Sequence, residues 1–273
     1  MIMCGNWPVG VCSWSLQTDM AGVAATMMEL GLEHVHLDIG PACGDTPDEY
    51  INLIKQQNLT ISSTMIGFEQ EDYSSLETIK ATGGIAPDDC WEVNKQRFLK
   101  AVRATVALNI RFLSTHIGFL DHSDADYTKK FYDRVQTMAD AAAAENIVVL
   151  LETGQESAED LKAFLQEMNH PSLGVNFDPA NMILYDKDDP IEALKVLAPW
   201  IKHVHIKDAN RTTTPGTWGS EEVWGTGQVG GEAFLTALKE IGYDGVLAIE
   251  REAGNSRKGD IKIAIEKLSA FSG

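Results

Sequence analysis

The sequence predicts a single-domain (β/α)8 TIM barrel over residues 1–273. Three observations carry this. Short apolar runs alternate with amphipathic helical stretches eight times without a break, and strict alternation implies a parallel sheet that closes at eight. The length suits one such barrel, which needs about 250 residues. Four of the apolar runs end in an acidic or imidazole side chain, all on one face. A doubly wound open sheet is the alternative, but no glycine fingerprint follows the first strand.

The elements follow in order. Residues 9–15 (VGVCSWS) form the first expected strand. Residues 20–30 are apolar at helical spacing and stop at Gly31, a natural C-cap. Residues 34–40 (HVHLDIG) are the second strand, with Val35, Leu37 and Ile39 on one face and His34, His36 and Asp38 on the other. Thr46-Pro47-Asp48-Glu49 opens a helix that ends near Gln57. Residues 60–67 (TISSTMIG) are the third strand. Residues 68–90 are a long irregular stretch, and a loop of that length is expected to be a lid. A helix over 91–108 leads to the fourth strand, 111–118, which places Ser114 and His116 on one face. An alanine-rich helix over 127–146 precedes the fifth strand, 147–154, and a helix over 157–168 follows it. Residues 173–178 are the sixth strand, and Asp189-Pro190 opens the sixth helix. Residues 201–207 are the seventh strand. Residues 209–230 are a second long loop, carrying Trp218, Trp224 and a Gly225-Thr226-Gly227 turn that could wrap a ligand. A helix over 231–241, a strand over 246–251 and a helix over 260–271 complete the chain.

The inner faces hold the chemistry. In IKHVHIKDANR (201–211), His203, His205 and Lys207 share one face, while Val204 and Ile206 share the other. A half-solvated strand rarely alternates apolar residues with paired imidazoles. A barrel strand does so when its outer face packs under helices. Glu152, Asp178 and Glu250 likewise end apolar runs on the inner face. At the C-terminal ends of barrel strands, Glu152, Asp178, His205 and Glu250 converge. Three adjacent carboxylates repel one another unless a cation joins them. An O3N set suits Mn, Co, Mg or Zn, so a divalent metal is the expected cofactor. The bland reading, four separately satisfied strand-end residues, fits any one of them better than all four together. His116, at a strand end, is a candidate substrate contact. His203 lies one layer deeper and reads as buried structure. Lys207 could form a Schiff base, but the adjacent ligand cluster favours a substrate-contacting role.

Composition narrows the function. Hydrophobic residues make up 44% and charged residues 23%, ordinary for a soluble globular chain. The net charge of −18 argues against nucleic acid, which needs clustered Lys and Arg. Cys4, Cys12, Cys43 and Cys90 match no zinc or redox spacing and read as free thiols in a reducing cytoplasm. No secretory signal and no membrane span is expected. The expected partner is a small carbohydrate, with a homodimer left open.

At these strand ends the sequence resembles the xylose-isomerase-like TIM-barrel superfamily of sugar phosphate isomerases and epimerases, over nearly the whole chain. The carriers are LLETG (150–154), NFDPAN (176–181), HVHIKDA (203–209), GTGQVGGEAFLTALKEIGYDG (225–245) and IERE (249–252). The resemblance implies metal ligation by Glu152, Asp178, His205 and Glu250, with the two glutamates doubling as acid and base. It implies a substrate contact from Arg211, six residues past the histidine ligand. Many epimerases carry a histidine three residues after the aspartate ligand; here Asn181 stands there as the expected substrate contact. The implied reaction is isomerisation or epimerisation of a small sugar or sugar phosphate through a metal-stabilised enediolate. Dehydration shares that intermediate and is the alternative. DNA repair like that of endonuclease IV fits the charge poorly, and a non-catalytic sugar-binding barrel has no use for two acid–base carboxylates.

Overall fold

The computed structural model describes residues 1–272. Eight parallel strands form the barrel: β1 (Trp7–Cys12), β2 (His34–Asp38), β3 (Thr60–Met65), β4 (Phe112–Thr115), β5 (Val148–Glu152), β6 (Leu173–Phe177), β7 (Ile201–Ile206) and β8 (Leu247–Ile249). Each pairs with its neighbours in chain order, and β8 pairs with β1, so the ring closes. Met3–Cys4 adds a short antiparallel edge to β1. The predicted (β/α)8 barrel is therefore the observed fold.

Local chemistry explains the outer helices. Helix Met20–Leu30 starts where the Asp19 carboxylate accepts from Gly22 N at 2.9 Å, and it stops at Gly31, whose φ of 72° suits only glycine comfortably. Ser157 caps helix Ala158–Met168, and Asp189 caps helix Pro190–Leu197. The strand residues facing these helices, among them Val35, Leu37, Val149, Leu151, Val175, Phe177, Val204 and Ile206, are buried in one continuous apolar layer. Among the described residues, no helix is long and apolar enough to cross a membrane.

The structure departs from the expected elements in several places. The first strand ends at Cys12, and residues Ser13–Leu16 turn into a 3-10 helix. Register breaks between Val35 and His36 against β3, and between Val175 and Asn176 against β7, give one strand an extra residue each time. The first break leaves Ser62 able to reach the barrel interior, where its hydroxyl lies 2.9 Å from His203 Nε2. The stretch expected to be irregular over 68–90 contains helix Leu76–Thr82, opened by a Ser75–Thr78 capping box. A short helix, Pro179–Leu184, follows β6 directly. The second long loop is braced by antiparallel pairing of Asp208–Asn210 with Ser220–Glu222.

The two long loops meet over the barrel mouth. Ile79, Phe119 and Tyr185 form a separate apolar cluster, with Leu76, Leu184 and Trp218 packed on it. The first loop supplies Leu76 and Ile79, and the second supplies Trp218.

Candidate metal centre

Glu152 closes β5, Asp178 follows β6, His205 lies in β7 and Glu250 follows β8. One donor atom from each lies within 4.8 Å of all the others, and all four side chains are buried. His205 Nδ1 is 3.2 Å from Glu250 Oε2 and 3.6 Å from both Glu152 Oε1 and Asp178 Oδ2. Asp178 is locked in place because its Oδ1 also caps the following helix, accepting from Ala180 N at 2.8 Å and Asn181 N at 3.1 Å. That leaves Oδ2 aimed at the centre.

The donors fit a divalent cation on two grounds. Asp178 Oδ2 and His205 Nδ1 are both buried without a hydrogen-bond partner, an arrangement that a shared cation resolves. Charge gives the same answer. The three carboxylates face one buried ammonium, Lys207, whose Nζ is 2.9 Å from Glu250 Oε2 and 3.6 Å from Asp178 Oδ2. Glu252 shares that ammonium at 2.9 Å, so the cluster keeps a net negative charge that a cation would neutralise.

Each group's environment sets its proton affinity. Burial pushes Asp178 upward. Burial also opposes ionisation of Glu152, but the imidazoles of His116 and His205 outweigh it and lower the carboxyl. For Glu250 the same opposition is overcome by Lys207 and His205, which hold it well below its ordinary range. Burial disfavours a proton on His205, yet the facing glutamates raise it well above its usual value.

The surrounding shell orients the ligands. Glu152 accepts from Asn181 Nδ2 at 3.2 Å and from Asn176 Nδ2 at 3.1 Å, and His116 Nε2 lies 3.5 Å away. Gly154 makes room for this: at φ 133°, any Cβ there would sit 2.4 Å from Asn181 Cβ. Glu250 accepts from Trp14 Nε1 at 2.6 Å. The tautomer of His205 also follows from its neighbours. His36 Nε2 is 3.3 Å from the Thr64 carbonyl, which only accepts, so His36 Nε2 carries the proton. Buried among rings and held far below its usual range, first by burial and then by His203, His36 is neutral, so its Nδ1 accepts. His205 Nε2, 2.9 Å away, then donates to it, while Asn176 Nδ2, 3.1 Å from the same nitrogen, donates to Glu152 Oε2. The Nδ1 of His205 is thereby the nitrogen presented to the carboxylates.

Asn181, His116 and Lys207 all join the cluster. Arg211 does not touch it: its guanidinium pairs with Asp186 Oδ1 and donates to the Asp188 carbonyl. Gly225 and Gly227 wrap the buried carboxylate of Asp208. Sequence reasoning assigned no role to Trp14 or Asn176 and read His36 as a hydrogen-bonded core histidine, which its contacts to His205 and the Thr64 carbonyl match. The alternation in HVHLD and NFDP already put His36 and Asn176 on the inner face, a usable signal. Trp14 had none, because a 3-10 turn carries it over the mouth. Cys12, His36 and His205 also converge. Burial pushes the Cys12 thiol up to about 12, and the two imidazoles spend their nitrogens on each other, so this trio is structural.

A closed parallel barrel with a carboxylate–imidazole cluster at its strand ends defines a class of TIM barrels with a candidate metal centre. The sequence profile of the xylose isomerase-like TIM barrel matches residues 20–271, and the chain belongs to that family. A solved xylose isomerase domain protein from Planctomyces limnophilus is 31% identical, with a TM-score of 0.87 over 98% of this chain and 97% of that one. Among curated relatives, the uncharacterised protein YihM of Escherichia coli is 36% identical over 53% of this chain and 51% of its own length. A 3-dehydroshikimate dehydratase of Bacillus anthracis is 30% identical over 36% of each chain. A ketose 3-epimerase of Arthrobacter globiformis is 31% identical over 37% of this chain and 30% of its own. The matched segments thus span about half or less of these curated relatives.

Proposed function

We propose that the protein is a divalent-metal-dependent isomerase or epimerase of a small carbohydrate, with Glu152 and Glu250 as its proton carriers. The observation that carries the reading is the convergence of four buried donors with Asp178 Oδ2 and His205 Nδ1 unpaired. A bound Mn, Co, Mg or Zn supplies Lewis-acid stabilisation to negative charge developing on a substrate carbonyl oxygen. The protein's own groups do the rest. Glu152, whose carboxyl is lowered by the facing imidazoles, can take a proton from the carbon beside the carbonyl while the electron pair moves to oxygen. Glu250, after taking up a proton from solvent, gives it to the opposite face and inverts the centre, and Glu152 releases the abstracted proton to solvent. Lys207, His116 and Asn181 lie beside the Glu152 and Glu250 carboxylates, placed to contact a substrate held there. The similarity to a ketose 3-epimerase supports this reading. Free cysteines suit work in a reducing cytoplasm.

The 3-dehydroshikimate dehydratase similarity supports a second reading, in which the same proton abstraction expels a hydroxyl. One experiment separates them. The Mn- or Co-loaded protein is incubated in deuterated water with ketoses and keto-glycosides, and products are read by mass spectrometry. An epimerase yields an isomer carrying solvent deuterium, and a dehydratase yields a product lighter by one water. Absence of any product, together with no bound metal on elemental analysis, overturns the proposal.

A further inference from the structure

In TIM barrels a substrate phosphate is commonly held by backbone N–H groups of the loops after the seventh and eighth strands. Here both sets are already taken by the chain's own carboxylates. Asp208, fully buried after β7, accepts at Oδ1 from Ala209 N (2.9 Å) and Val229 N (3.0 Å), and at Oδ2 from Gly225 N (2.8 Å) and Gly227 N (3.0 Å). The glycine at 227 is required, since a Cβ there would lie 2.4 Å from Asp208 Oδ1. Four converging N–H groups make an anion nest, and its anion is internal. After β8, Glu221 Oε1 accepts from Glu252 N at 3.0 Å and Oε2 from Ala253 N at 3.2 Å.

Most cations at this end are committed as well, Arg257 excepted, which donates to the Glu252 carbonyl and has an unpartnered Nε. Lys207 pairs with Glu250 and Glu252, Arg211 with Asp186, and Arg251 with Glu221 and Asp260. A phosphate approaching Lys207, Arg211 or Arg251 meets carboxylates and would have to break an existing pair.

What the mouth offers instead suits hydroxyl groups. Tyr185 and Trp218 meet edge to face with ring centroids 4.7 Å apart, giving an aromatic roof. Trp218 Nε1 and Gln155 Nε2 are buried N–H donors without a partner, and Gln155 is only 3% exposed. Unspent donors beside aromatic faces are the chemistry that recognises a polyol.

Building on the functional reading above, we propose that the substrate of this site is an uncharged polyhydroxylated carbonyl compound, and that phosphate esters are excluded by Asp208 and Glu221. The test uses matched pairs, D-fructose with D-fructose 6-phosphate and D-ribulose with D-ribulose 5-phosphate, plus further neutral ketohexoses. Binding to the magnesium-loaded protein is read by saturation-transfer NMR, and turnover is followed separately in deuterated water. The expected result is binding of at least one neutral compound, with the phosphorylated member of its pair, where there is one, weaker by about tenfold or more. Trp218→Phe, which removes one donor and keeps the aromatic wall, should weaken the neutral compound about fivefold or more. A phosphate ester that binds more tightly than its neutral partner overturns the inference, and so does a panel in which no neutral compound binds. A neutral compound that binds without reacting supports the inference and counts against the proposed activity instead.

Discussion

Replacing Glu156 by Gln should stabilise the protein, and increasingly so as pH rises. Glu156 lies in the turn between β5 and helix Ala158–Met168 and is 7% exposed. Burial pushes its carboxyl from 4.5 up to about 8, with Lys187 pulling back only in part. The folded protein therefore keeps this proton through neutral pH, whereas the unfolded chain loses it near 4.5. Between those values the unfolded state binds fewer protons, so stability falls as pH rises, by about 1.4 kcal/mol per pH unit. Over the window from pH 4.5 to 8 the loss approaches about 5 kcal/mol, and above pH 8 it is constant. Glutamine has nearly the same shape and cannot ionise, so Glu156→Gln escapes the loss. Urea unfolding in EDTA, which removes metal linkage, should show the two proteins alike near pH 4.5. By pH 8 they should differ by about 3–5 kcal/mol in favour of the variant. Contributions from other titrating groups cancel in the difference. A gap that stays constant from pH 4.5 to 8 would refute the idea that burial governs this carboxyl.

Three further outcomes are expected. Glu152→Gln and Glu250→Gln should each keep one ligating oxygen and most of the metal affinity, measured by titration, while turnover falls about a hundredfold or more. Near-normal turnover in both would reduce the glutamates to ligands. His36→Leu removes the acceptor that sets the His205 tautomer and should weaken metal binding about tenfold to a hundredfold, whereas His36→Gln, which can still accept, should lose much less; equal losses would sink the tautomer assignment. In hydrogen-exchange measurements, the loops over 68–90 and 209–230 should become better protected when a substrate binds, because Tyr73 lies against His116 with ring centroids 6.4 Å apart and Trp218 against Tyr185. Unchanged exchange under saturating substrate would remove their role as a lid.

The barrel and its four strand-end donors were legible in the sequence because both are local signals. Alternation with period two says which side chains share a face, and the spacing of Glu152, Asp178, His205 and Glu250 assigns each to its own strand. Caps such as Asp19 and Gly31 are equally local. What the sequence did not contain was which distant groups meet once the sheet closes. The contact between His36 and His205 joins residues 169 apart, and that between Trp14 and Glu250 residues 236 apart. Both exist only because β8 pairs with β1 and a 3-10 turn swings the indole over the mouth. Arg211 shows the same limit from the other side. Its place six residues past His205 resembles that of a substrate-contacting arginine, and only the folded chain shows its guanidinium paired with Asp186. Facing is a property of the strand, whereas partnership is decided by closure of the ring and by competition among all the charges that closure brings together.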